Sequence, residues 1–193
     1  MNYFNFECMA KKSFTGGRPM GGISVFVRQE FSTSFTRICD EFEFGVILRI
    51  DKDFFDISRD CVFCAVYFPP TGSPFYQENS ETALKCLEET LIFNNLIGLN
   101  LILCGDLNSR TGRELDFIEH NYENIPELRE FSELFENDVT LPRFSKDNIV
   151  HVNKCGKDLL KFCKTYGCFI VNGRFGKDYK IGDFTLSTAM VIA

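Results

Sequence analysis

The chain is predicted to be an α/β protein, and three consecutive stretches carry that prediction. Cys61–Phe68 (CVFCAVYF) is a run of apolar and β-branched residues without helical spacing, which reads as a strand. Ser80–Phe93 places Leu84, Leu87 and Leu91 on one face, with Glu81, Lys85, Glu88 and Glu89 elsewhere. That is an amphipathic helix of about four turns. Leu99–Cys104 (LNLILC) is a second dense apolar run, ended by Gly105, and reads as a strand buried on both faces. Strand, helix and strand in that order make a βαβ unit with parallel strands.

The remaining elements follow in chain order. Residues 1–15 show no clear pattern. Gly16-Gly17-Arg18-Pro19-Met20-Gly21-Gly22 is Gly-rich, but it lacks the Lys-Ser/Thr pair and the following helix of a phosphate-cradling P-loop. It reads as a flexible turn into a strand at Ile23–Val27. Phe42–Ile50 is another strand, with Asp51-Lys52-Asp53 as its turn. Pro69-Pro70 cannot continue a ladder, so they end the Cys61–Phe68 strand, and Thr71 and Gly72 complete a stiff loop. A short helix is expected at Pro126–Phe135 and a firmer one at Gly156–Tyr166, where Leu159, Leu160, Phe162 and Cys163 form an apolar face and Gly167 suits the C′ position. Cys168–Val171 reads as a strand before an Asn172-Gly173 turn, and Phe184–Leu186 as a last short strand.

Composition bounds the class. At 193 residues, 45% hydrophobic and 25% charged, the chain is expected to be one domain with a packed core, spanning 1–193. No run of about 18 apolar residues suggests a membrane span. The N-terminus has no signal-peptide layout. Nine cysteines, an odd number scattered through apolar runs, look like free buried thiols of a reducing compartment, so an intracellular protein of nucleus or cytoplasm is expected. Cys61 and Cys64 have the spacing of a zinc knuckle, but a strand would aim them at opposite faces. There is no second Cys pair, and His120 and His151 are the only histidines. The net charge of −6 counts against nucleic acid, although nine acidic residues against the single Arg129 between Glu114 and Asp138 explain most of it.

The stretch with chemical content is Leu99–Gly112 (LNLILCGDLNSRTG). Asp106 and Asn108 are two residues apart, so in extended backbone a carboxylate and an amide project together from a strand end. Gly-Asp-x-Asn is also ordinary turn chemistry.

Taken in order, GRPMGGISVFVR, AVYFPP, LILCGDLNSRTG, NGRFGKD and GDFTLST resemble the endonuclease/exonuclease/phosphatase family. The branch they most resemble is the endonuclease domain of non-LTR (LINE-type) retrotransposons and its domesticated relatives. The resemblance covers residues about 16–188. It implies a four-layer α/β sandwich, with two mixed β-sheets face to face and helices outside, and Mg²⁺-dependent hydrolysis of phosphodiesters in DNA. Carried over residue by residue, it implies that Asp106 orients or deprotonates the attacking water and contributes to the metal site. Asn108 would bond the phosphate oxygens, Tyr67 would stabilise charge in the transition state, and Thr185 would be a supporting polar residue.

Two departures follow from the same resemblance. The family's first strands carry an Asn and a metal-binding Glu, and nothing before Gly16 matches them; Glu7 is the only acid there. After Thr185 the chain ends in Ser187–Ala193 (STAMVIA), without the family's Asp-His pair. The expectation is a fragment of such a domain, incomplete at both ends, with weak or no activity. The alternative is a non-catalytic interaction protein that keeps the scaffold and offers the acidic 114–138 segment to basic partners. A branch acting on phosphomonoesters fits the GGISVFVR and NGR contexts less well.

Overall fold

In the computed structural model the described residues are 2–11, 19, 21–78, 81–118, 143–145, 152–182 and 189–192. Thr185, His120, His151, Gly16 to Arg18 and the segments expected as a helix at Pro126–Phe135 and a strand at Phe184–Leu186 lie outside them, as does most of the acidic 114–138 segment.

The protein is an α/β sandwich. Strands β1 (Tyr3–Cys8) and β2 (Ile23–Arg28) form a two-stranded antiparallel sheet. The larger, mixed sheet holds β3 (Phe35–Arg37), β4 (Gly45–Ile50), β5 (Cys61–Tyr67), β6 (Asn100–Asp106), β7 (Phe169–Ile170) and β8 (Ala189–Ile192) in the order β3-β4-β5-β6-β8-β7. Short helices α1 (Lys52–Phe55) and α2 (Phe75–Glu78) sit in the connections, and α3 (Ala83–Phe93) joins β5 to β6. Helix α4 (Lys154–Tyr166) precedes β7.

Successive strand residues point to opposite faces, and the two faces of the large sheet have different covers. Ile47, Val62, Cys64, Val66 and Leu103 meet Ala83, Leu87 and Leu91 of α3 and Leu159, Leu160, Phe162 and Cys163 of α4. Val46 and Leu48 meet Phe6 and Val27 of the small sheet. Among the described residues, small sheet, large sheet and helices are therefore successive layers. β5 and β6 are parallel, as the βαβ reading requires.

Several local expectations shift. Strand β1 lies in the stretch where no pattern was read; Phe6 is buried, while Tyr3, Asn5 and Glu7 are exposed. Helix α3 starts at Ala83 because the Thr82 hydroxyl caps it, accepting from Lys85 N at 3.3 Å. The Asp51-Lys52-Asp53 turn is the start of α1, with Asp51 as N-cap. β6 is fully buried only at Leu101 and Leu103; Ile102 and Cys104 are half-buried. The strands buried on both sides are β4 and β5, because the small sheet contacts both. β7 is shorter than expected, and β8 arises from the AMVI stretch, pairing antiparallel with both β6 and β7. Gly167 caps α4 in the left-handed conformation, as the sequence predicts. All nine cysteines are free thiols. Among the described residues, no helix is long and apolar enough to cross a membrane.

Candidate functional site

Tyr67 and Asp106 are the last residues of β5 and β6, and they are register partners. Neighbouring strands lie about 4.8 Å apart, and partners at the same register point to one face of a sheet. Cys64 and Leu103, also register partners, belong to the helix-side core, so Tyr67 and Asp106, three residues further on, stand on the opposite side, toward the small sheet. Both are half-buried at the C-terminal ends of parallel strands. Open α/β sheets place their chemistry there.

Gly105 makes that juxtaposition possible. Its φ is +129°, and a Cβ at this position would lie 1.9 Å from the Val66 carbonyl oxygen. Only a glycine lets β6 approach β5 this closely just before Asp106. Gly21 borders the site too: a Cβ there would lie 3.6 Å from Cδ1 of Tyr67.

Asn108 joins the pair through hydrogen bonds. Its backbone N–H donates to Asp106 Oδ1 at 3.1 Å, and its side-chain amide donates to the Phe68 carbonyl at 2.8 Å. The backbone N–H of Phe68 donates in turn to the Asp106 carbonyl at 2.8 Å. The two readings of Gly-Asp-x-Asn are thus one structure: the first bond is an Asx turn, and the turn delivers the amide to the strand ends. Asn108 has φ +45°, a left-handed conformation that asparagine tolerates better than most residues. The i, i+2 argument from extended backbone does not describe it, because the strand ends at Asp106.

The sequence reading missed Asn153. It is the N-cap of α4, and its Oδ1 accepts from Gly156 N at 2.7 Å and Arg110 N at 3.0 Å. Its Nδ2 donates to the Asn108 carbonyl at 3.0 Å. Arg110 and Lys154, both exposed, sit on the two segments that this clamp joins. An Asn just before a helical run is an N-cap signal, and that was available from the sequence. Thr71, in the loop after Pro69-Pro70, reaches the same helix start, with Oγ1 3.2 Å from Cys155 Sγ.

Glu7 does not join this group. It is exposed on the outer face of β1, opposite Phe6 and turned away from the large sheet. Among the described residues, no three His, Cys, Asp or Glu side chains come together in a way that could hold a metal ion. Asp106 brings one carboxylate, so the described residues do not by themselves fit a resident metal centre. A groove of about 770 Å³ lies elsewhere, lined by Glu41, Glu43, Phe75, Glu81, Glu89 and Phe93 among others, and includes none of Tyr67, Asp106 and Asn108.

No protein-family model, curated protein or solved structure matches this chain.

Proposed function

We propose that Asp106, Asn108 and Tyr67 form a phosphate-ester site of the endonuclease/exonuclease/phosphatase type. By its motifs it is the site of a DNA-nicking phosphodiesterase domain of retrotransposon origin, weakly active in this chain. The observation that carries the reading is the Tyr67–Asp106 register, with Asn108 tied to the adjoining Phe68 carbonyl.

Phosphodiester hydrolysis needs a positioned water and donors aimed at oxygens on which charge develops. Asp106 accepts a proton from that water or orients it. The Asn108 amide has two N–H groups; one holds Phe68, and the other is a donor for a phosphate oxygen. The Tyr67 phenol donates to the growing negative charge. Mg²⁺ is the cofactor that the resemblance suggests, and DNA the substrate.

Supercoiled plasmid with Mg²⁺ tests the proposal. Slow nicking is expected from the wild type, with a fall of roughly 100-fold or more in Asp106→Ala and Asn108→Ala. Equal nicking by all three proteins, or none by the wild type at high concentration, overturns it.

A further inference from the structure

We infer that Asn153 is the positioning residue of this site, holding Asn108 in the one conformation that aims its amide along the strand ends. The inference rests on the phosphate-ester reading for its functional meaning, but its structural part stands on the hydrogen bonds alone.

Asn108 occupies a left-handed conformation, open to asparagine but held here from both sides. The Asp106 carboxylate holds Asn108's own N–H. Asn153 holds what comes after: its Nδ2 takes the Asn108 carbonyl, and its Oδ1 takes the Arg110 N–H two residues on. Its own backbone N–H donates to the Arg110 carbonyl at 3.2 Å, so the two segments are bonded in both directions. Asn153 is itself fixed, because its Oδ1 also caps α4 through Gly156 N. The approach is close: a Cβ on Gly156 would lie 1.9 Å from the Arg110 carbonyl oxygen. One side chain therefore ties the turn to the end of a helix of 13 residues. A bond to the Asn108 carbonyl is the contact that an ordinary N-cap does not need.

That last point separates positioning from capping. Asp and Ser cap helices about as well as Asn, and both keep an oxygen for Gly156 N. Neither Asn153→Asp nor Asn153→Ser retains the Nδ2 donor. Both variants keep the cap and are expected to fold, with a melting temperature lowered by the loss of one hydrogen bond, more in Asn153→Asp, whose second carboxylate oxygen faces the Asn108 carbonyl. In ¹H–¹⁵N spectra the Asn108 side-chain amide signals should shift, and their exchange with solvent should quicken about tenfold or more. In plasmid nicking with Mg²⁺, kcat should fall by about 10- to 100-fold with KM unchanged. Asn108 signals and exchange like those of the wild type in both variants overturn the inference, as does unchanged kcat. If the wild type nicks no plasmid, the hydrolytic reading fails, and the Asn108 signals alone decide the positioning.

Discussion

Arg174 and Asp116 face each other as a two-pronged ion pair, Nη2 to Oδ1 at 2.7 Å and Nη1 to Oδ2 at 2.9 Å, with each residue only 1% exposed. The pair is woven into the backbone of β7: Asp116 Oδ2 accepts from Ile170 N at 2.7 Å, and Arg174 Nη1 donates to the Ile170 carbonyl at 3.0 Å. The rings of Phe169 and Phe117 lie 5.4 and 5.9 Å from the guanidinium carbon. The arginine of the Asn172-Gly173-Arg174 turn is therefore an internal strut rather than a surface charge for a ligand. It anchors the loop after Asp106 to the far edge of the large sheet.

Removing one partner leaves a buried charge without its counter-ion, which costs about 3–5 kcal/mol. Asp116→Asn and Arg174→Ala should each lower the urea midpoint by that equivalent. The double variant Asp116→Leu/Arg174→Met should recover only part of the loss: it removes the unpaired charge, but the Ile170 N–H and carbonyl lose the side chains that bond them. Single variants as stable as the wild type would show that the pair contributes little.

Gly105 is the backbone position on which the site depends. Gly105→Ala places a Cβ 1.9 Å from the Val66 carbonyl oxygen at a φ of +129°. The conformational strain alone is of order 1–3 kcal/mol, and the clash adds to it. The expected result is a fall in melting temperature together with loss of any Asp106-dependent nicking, because β5 and β6 must separate where Tyr67 and Asp106 meet. A variant with unchanged melting temperature would contradict that close approach.

Tyr166 supplies a pH dependence. Its hydroxyl donates to Glu88 Oε1 at 2.5 Å, tying α4 to α3. Burial first, and then the Glu88 carboxylate, push the phenol up to about 12 from an ordinary value of 10. A folded-state value raised above the unfolded one stabilises the protein fully below about pH 10, and that contribution disappears as pH rises through about 12. The melting-temperature advantage of wild type over Tyr166→Phe should thus be constant from pH 7 to 9 and shrink by pH 11. A gap that widens with alkali would reverse the assignment.

The legible parts of the fold were those whose signal is local. Apolar runs marked β4, β5 and β6, the spacing of Leu87 and Leu91 marked α3, and Gly167 marked the end of α4. β1 has no clear signature in the sequence, although Phe4, Phe6 and Cys8 alternate. Tyr3 on the other face blurs the pattern, and only Phe6 is fully buried. β8 was missed because four apolar residues near the chain end take their meaning from a place between β6 and β7. Of the candidate site residues, Asp106, Asn108 and Tyr67 come together, while Thr185 lies outside the described residues.

By itself the chain determined what periodicity and dihedral preference act on within a few residues: the βαβ unit, the Asx turn at Asp106 and Asn108, and the glycines where backbone must bend. The tertiary structure alone decided that Tyr67 meets Asp106 at the same register, that Asn153 grips a turn 45 residues before it, and that Arg174 pairs with an aspartate 58 residues away. Such pairings depend on how distant segments pack, and a hydrogen bond between them leaves no trace in the spacing of either segment.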